Sequence, residues 1–474
     1  MKTLRALGDQ LRRHLPLVIS EVLLLFTLLL FDRPLIRGDA VAYFMWMASL
    51  GKDLDMDLQN QAERFGPLNT YMALFNPETG RYANAFAWGQ GLILLPSFWA
   101  ARLLDRLPVM RINDDWFLSL QAYPFAYSLT AMLQVNLMTL LTLAMAYALG
   151  RRLNLSAGAA AMAGLTVTWG TPLYYYSTVH PVYSHASATF VHTLGVLLFV
   201  RSLTAPAGQA HRWRWLATGL ACGLAALTRW QLALSFVVLG GVLVFRRRWR
   251  ELIWMGLGFG AVTWHIPYTF NWMFGSPLAI PVDALQSPAE GEQSFVGLPR
   301  YLWPVLFAED RGLFIWSPIA ALGMAGLLCL EQPRRDLALA LLGIVVAQVL
   351  VNSGVRDWYG GDSFGLRRLT EIYPALAVGV GALLTAAERK GNRGLASAAY
   401  GVVVLLAVYG LVLVPASLVF DYFTTDPSFG YFTTPPSSSV ANVWLFFFWP
   451  PKFDLIWPMM EHHFGPWAWT WPGP

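Results

Sequence analysis

The chain has 474 residues, of which 56% are hydrophobic and 13% charged, with a formal net charge of +5. Soluble domains carry about 25% charged residues, so an ordinary soluble globular enzyme is excluded, and the mild positive balance gives no ground for a nucleic-acid partner. Its two cysteines, Cys222 and Cys329, both lie in apolar runs, which excludes a disulfide framework and a cysteine-based metal site.

The first apolar run, Leu15 to Phe31, follows Lys2, Arg5, Arg12 and Arg13. No small-x-small cleavage site follows it, only Asp32-Arg33-Pro34, so it reads as an uncleaved first span. Later runs are rich in Leu, Ala, Val and Gly and lack the alternation of a barrel strand, so they read as helices. Only such closed hydrogen-bonding satisfies a backbone in lipid. The runs place about eleven spans at 15–31, 122–149, 157–177, 187–203, 213–228, 232–246, 254–274, 313–330, 337–354, 369–387 and 395–414, each near the ~20 residues that a bilayer requires. The predicted fold class is an all-α integral membrane protein with one transmembrane domain, residues 1–414.

Basic clusters orient the bundle. The N-terminus, Arg151-Arg152, Arg201 to Arg214, Arg246 to Arg250, Arg334-Arg335 and Arg389 to Arg393, taken with the acids that flank them, hold 18 Lys/Arg against five acids, whereas everything else holds 15 against 23. The clusters are read as cytoplasmic, which leaves outside a first loop at 32–121, a second long loop at 275–312, and a Pro/Trp-rich interfacial tail at 415–474. Trp215 to Phe245 has basic clusters on both sides. It must cross twice, with its tip at Thr228-Arg229-Trp230-Gln231, so Arg229 sits at the outer face and needs a partner. The apolar segment Phe86 to Leu104, which contains Pro96, is read as lying along the outer interface.

The outer segments carry nearly all the acids, and loops are where function concentrates. Asp39 follows the first span and precedes the helical run Ala40 to Leu50. It is either an N-cap or a general base at the membrane surface, and the two are compatible. Asp53, Asp55 and Asp57 alternate but lack the glycine and distal Glu of a calcium loop, so they read as a solvated acidic loop. His180 and His185, five apart with Pro181 between, do not share a helix face and are no zinc pair. They are candidate hydrogen-bonders to substrate hydroxyls, or residues of a simple turn. His265 lies within an apolar run and reads as a core histidine or an intramembrane site. Trp358-Tyr359-Gly360-Gly361-Asp362-Ser363-Phe364-Gly365-Leu366-Arg367-Arg368 is a glycine-rich turn opening a helix. Its amides and guanidinium forks suit an anion, and without a GxxxxGK[ST] motif there is no nucleotide site. Arg311, in Glu309-Asp310-Arg311-Gly312, either joins the same pocket or belongs to a charged loop end.

These pieces, in this order, resemble the GT-C superfamily of polyprenyl-phosphate-sugar-dependent membrane glycosyltransferases. They are most similar to bacterial relatives of the protein O-mannosyltransferases and of the lipid A aminoarabinose transferase. The resemblance is carried by Gly38-Asp39 and Tyr43, by Tyr82-Ala83-Asn84-Ala85-Phe86 with Gly89-Gln90-Gly91 and Pro96, and by the His180–His185 turn. It continues through Gly219 to Arg229, Arg311-Gly312-Leu313-Phe314 with Ser317-Pro318, and Trp358 to Arg367, from about residue 40 to 370.

The resemblance implies that Asp39 is the catalytic base or lies beside the acceptor. Arg229, Arg367 and Arg368 are implied to bind the donor phosphate, and Tyr43, His180, His185, Trp358, Asp362 and Arg311 the substrates. Ala85 stands where relatives often have Lys, so that phosphate contact is either missing or supplied by Arg81. The expected reaction moves a sugar from a polyprenyl-phosphate carrier to a hydroxyl on a glycan, lipid or protein, with inversion and with no obligatory cofactor or metal. The expected location is the outer face of a bacterial inner membrane. A hydroxyl nucleophile needs a partly desolvated carboxylate to take its proton, and a departing phosphate needs positive charge rather than an acid. The alternative is a transporter or flippase of an anionic lipid, which would be expected to show internal repeats; none is evident here.

Overall fold

The computed structural model describes residues 2–34, 36, 38–65, 74–111, 125–206, 211–281, 295–309, 311–330, 334–361 and 363–425. Most of the predicted tail at 415–474 therefore lies outside the described residues, as does Asp362.

The described chain is mostly helical. Helix α1 is Lys2–Phe31 and α2 is Asp39–Ala48, which runs into a π-turn at Ser49–Asp53. The first loop contributes α3 (Gln59–Phe65), the hairpin strands β1 (Leu74–Asn76) and β2 (Arg81–Ala83), and the short helices α4 (Gly89–Ile93) and α5 (Leu95–Leu104). The strands are antiparallel, with Leu74 opposite Ala83. Then follow α6 (Phe125–Arg152), α7 (Ala157–Trp169), α8 (Pro172–Thr178), α9 (Ser184–Leu203), α10 (Arg212–Thr228), α11 (Ala233–Phe245), α12 (Trp249–Thr263) and α13 (Ile266–Phe274). The last are α14 (Leu302–Phe307), α15 (Leu313–Trp316), α16 (Ile319–Leu327), α17 (Arg335–Ser353), α18 (Tyr373–Arg389, preceded by a 3-10 turn at Arg367–Ile372) and α19 (Arg393–Thr425).

Six of these helices are long and apolar enough to cross a membrane: His14–Phe31, Phe125–Arg152, Ser184–Leu203, Arg335–Ser353, Arg367–Arg389 and Arg393–Pro415. The chain is a multi-pass membrane protein. The other predicted spans fall on shorter or interrupted helices. Three of the interruptions sit at prolines, which lack the amide a continuous helix needs. Pro172 opens α8 after Gly170 and Thr171, Pro267 lies in the first turn of α13 after His265, and Pro318 precedes α16.

In lipid, helices associate through close packing of small residues rather than by hydrophobic expulsion. That constraint is visible in two pairs. Gly219 of α10 faces Met255 of α12 so closely that a Cβ there would overlap the Met255 carbonyl, and Gly258 meets Leu216 in the same way. Gly326 of α16 and Gly379 of α18 are equally tight, with Gly379 against the Gly323 carbonyl. Gly256 of α12, by contrast, has open space where its Cβ would be. Gly219→Ala and Gly379→Ala are therefore expected to cost about 1–3 kcal/mol each or more through overpacking, whereas Gly256→Ala should not. Thermal unfolding of the solubilised proteins checks this; three unchanged midpoints would contradict the close approach.

Candidate active site

The residues of the first loop place α2, and α2 places Asp39. Asn84 donates from Nδ2 to the Ala42 carbonyl at 3.0 Å and accepts the Phe86 amide at 2.9 Å, while Trp46 donates from Nε1 to the Phe86 carbonyl at 2.8 Å. Gln90 reaches the Val182 carbonyl at 3.0 Å. Gly89 and Gly91 let α4 wedge in: a Cβ at Gly89 would lie 2.5 Å from the Leu227 carbonyl, and one at Gly91 would lie 2.7 Å from Trp46. Gly38 has φ of +59°, and a Cβ there would lie 2.7 Å from Tyr183 Oη. Only glycine fits that step without strain.

Asp39 is the first residue of α2, and no side-chain cap closes that helix. Its carboxylate turns instead to Arg367, whose Nη1 donates to Oδ2 at 2.6 Å. Tyr183 Oη accepts the Asp39 amide at 3.2 Å, and the Arg367 guanidinium lies 5.8 Å from the Tyr183 ring centre. Burial, with the neighbouring Asp39, pushes the Tyr183 phenol well above its ordinary range. Burial does the same to Tyr43. Both phenols are hydrogen-bonding groups at neutral pH and not bases.

Arg229 caps the end of α10 in extended conformation at the predicted hairpin tip. Its Nε donates to Glu371 Oε1 at 2.9 Å and its Nη1 to Ser184 Oγ at 3.2 Å, and Ser184 Oγ is 2.8 Å from Tyr43 Oη. His185 Nδ1 stands 3.3 Å from the same Glu371 oxygen, and His192 Nδ1 donates to the Glu371 carbonyl at 2.7 Å. With its amide oxygen turned toward the guanidinium, Gln231 accepts from Arg229 Nη2 at 2.9 Å. Arg229, Arg367 and Arg368 all act on His185 electrostatically, and Arg229, Arg367 and Asp39 all act on Tyr43.

The glycine-rich turn supplies the third ion pair. Asp357 accepts the amides of Gly360 and Gly361 on Oδ1 at 3.1 and 2.9 Å, and Arg368 donates to its Oδ2 at 2.7 Å. Gly360 has φ of +78°, and a Cβ there would stand 3.1 Å from Arg367 Nε. Trp358 contributes its carbonyl to Asn352 Nδ2 at 3.0 Å, with its ring edge-on to Tyr359. Arg311 is buried, 5.5 Å from the Trp316 ring centre, and acts on Tyr176, whose hydroxyl accepts the Phe364 amide at 3.1 Å. His180 packs against Tyr175 and Tyr183.

Other sequence candidates are engaged elsewhere. Asp53 accepts from Asn60 and Gln61, Asp55 from Ser49, and Asp57 pairs with Arg81 at 3.5 Å. Arg81 also covers the Trp272 ring at 4.3 Å, so the structure ties it to that loop. His265, at the break between α12 and α13, accepts from Trp88 Nε1 at 3.1 Å. Sequence reasoning missed Glu371. An acid in an otherwise apolar run is the signal that was available, since such a residue demands a partner.

Residues 113–284 match the family described as dolichyl-phosphate-mannose-protein mannosyltransferase. No curated protein sequence matches the chain. The archaeal oligosaccharyltransferase AglB from Archaeoglobus fulgidus, solved with an inhibitory peptide and a dolichol-phosphate, overlays 91% of this chain at a TM-score of 0.50 and 14% identity. Its apo form overlays the same share at 0.50 and 13% identity. This chain spans 61% of that protein's length. ArnT from Cupriavidus metallidurans bound to undecaprenyl phosphate gives 0.49 and 16% identity, over 96% of this chain and 78% of its own. The GT-C resemblance read from the sequence thus stands beside a family match and a shared fold.

The Asp39–Arg367 pair joins two groups that are each less than one-fifth exposed. A double-mutant cycle on Asp39→Asn and Arg367→Gln, read from thermal stability, is expected to give a coupling of about 0.5–3 kcal/mol. Additive effects would mean that the two side chains do not meet.

Proposed function

We propose that the chain is a membrane glycosyltransferase that takes a sugar from a polyprenyl-phosphate carrier and joins it to an acceptor hydroxyl, with the reaction at the outer face of a bacterial inner membrane. The observation that carries this reading is the single cluster in which Asp39, Arg367, Arg229 and Arg368 lie together. The family match and the shared fold support it, and so does the dolichol-phosphate bound to the archaeal oligosaccharyltransferase AglB.

In the proposed reaction the acceptor oxygen attacks the anomeric carbon from the face opposite the phosphate. The bond from that carbon to the phosphate oxygen breaks, and its electron pair leaves with the polyprenyl phosphate. The hydroxyl proton passes to the Asp39 carboxylate, and the anomeric configuration inverts. Arg367 and Arg229 hold the departing phosphate, whose growing charge their fixed forks stabilise. Arg367 donates to the Asp39 carboxylate, so in this reading a phosphate that takes over Arg367 frees the carboxylate. Tyr43, Tyr183, His180 and Trp358 surround the substrates in this reading. The charge on the leaving group is carried by guanidinium groups, so no divalent ion is required. The topology that goes with it has about eleven spans, with the N-terminus cytoplasmic and position 229 outside.

Three outcomes follow. Asp39→Asn should lower turnover by about 10²- to 10⁴-fold, the range for a lost general base. Near-normal transfer by that variant would reduce Asp39 to an ion-pair partner. Transfer should survive EDTA, and abolition with rescue by a divalent ion would point to a metal site. Cysteines introduced at 229 and 358 should react with an impermeant reagent from outside; labelling only from the cytoplasm would overturn the orientation.

A further inference from the structure

The pairing of the charges is selective in a way that local sequence does not dictate. Glu371 lies three and four residues after Arg368 and Arg367, the spacing at which neighbours on a helix normally pair. It pairs with neither. Arg367 goes to Asp39, Arg368 goes to Asp357, and Glu371 takes Arg229 from the tip between α10 and α11. The Glu371 side chain is 1% exposed and that of Arg229 is 12% exposed. Glu371 is itself held on three sides: His185 on Oε1, His192 on its carbonyl, and the packing of α9 against the 3-10 turn Arg367–Ile372. The Arg229 fork is then fixed from three directions, by Glu371, Ser184 and Gln231.

From this geometry we infer that Glu371 is a positioning residue. It does not touch the substrate but holds the Arg229 guanidinium in the orientation that receives the lipid phosphate. The inference rests on the proposed phosphate-binding role of Arg229 and adds to it the group that sets its direction. An unanchored arginine loses part of the preorganisation that makes a fork effective on an anion. The carboxylate is the charged acceptor on the guanidinium's Nε, at 2.9 Å, beside the neutral amide oxygen of Gln231 at 3.1 Å, and a charge-assisted contact is the stronger of the two.

The test uses the full-length protein in lipid nanodiscs and undecaprenyl phosphate as the probe. Arg229→Lys and Glu371→Gln are each expected to weaken binding by about tenfold, the scale of one charge-assisted contact. The double variant should bind no worse than either single one, because both remove the same fixed fork. Glu371→Asp, which keeps the charge, should fall between wild type and Glu371→Gln. Wild-type affinity in Glu371→Gln, with weakened binding in Arg229→Lys, would overturn the inference and leave the phosphate site standing. Wild-type affinity in Arg229→Lys would overturn the role of Arg229 and the inference together. Multiplied losses in the double variant would show Glu371 acting by another route and would also overturn it. Should Glu371→Gln fail to fold, Arg229→Met/Glu371→Gln, which removes both buried charges at once, is compared with Arg229→Met. Equal affinities are expected, and a further loss in the double variant would overturn the inference.

Discussion

A charge withdrawn from water must meet an opposite charge, and in this chain that requirement is met three times in one place. Leaving one member of a buried pair alone costs about 3–5 kcal/mol, a cost that bears fully on Arg229–Glu371 and least on Arg368–Asp357, whose carboxylate is the most exposed; each ion pair still joins the segments that carry it. Asp39 with Arg367 ties the start of α2 to the turn before α18, Arg229 with Glu371 ties the α10–α11 tip to that same turn, and Arg368 with Asp357 ties it to the residues after α17. The turn Arg367–Ile372 is the shared member. Around this junction Asn84 and Trp46 bind α2 to the first loop, Gln90 holds the Val182 carbonyl before α9, and glycines bring α10 onto α12 and α16 onto α18.

The first-loop motif has its clearest physical account in this light. Asn84, Gly89, Gln90 and Gly91 resemble a family signature, and signatures invite a catalytic reading. Here their side chains and missing side chains are spent on backbone carbonyls and close approaches around α2. Their chemistry is positional. The same holds for the two glycines of the Trp358 turn. Their amides bind Asp357, and the lack of a side chain at Gly360 leaves room for Arg367.

Much of this was legible in the sequence, for reasons that differ residue by residue. Arg229 was legible at a hairpin tip because basic clusters stand on both sides of the apolar stretch that holds it, and the structure puts it at the end of α10. Arg367 and Arg368 stood out because a glycine-rich turn beside them offered amides and forks together. Asp39 was ambiguous, since an acid at a helix start fits a cap as well as a base, and the partner 328 residues away that decides its orientation leaves no local trace. Glu371 was hidden by its neighbours: with two arginines within one helical turn it looks already paired. The continuity of the spans was the other limit. Apolar runs with a proline inside still read as one segment, and the structure interrupts three of them.

The three pairs also differ in what they can give up. Three guanidinium groups and three carboxylates sum to zero, so an entering phosphate must displace one acid or leave a net negative charge. At 4 Å each unit pair contributes about 4 kcal/mol in a partly polar interior, which makes such an exchange nearly even rather than prohibitive. Exposure removes one acid from this choice and leaves two. Glu371 is 1% exposed and has nowhere to go, whereas Asp39 is 18% and Asp357 46% exposed. On the proposed reading the exchange at Arg367 has a chemical result. The carboxylate that loses its guanidinium partner is left free beside the acceptor hydroxyl whose proton it takes. Phosphate binding would thus release the base that takes the acceptor's proton, while the Arg229–Glu371 pair stays in place as the fixed half of the clamp.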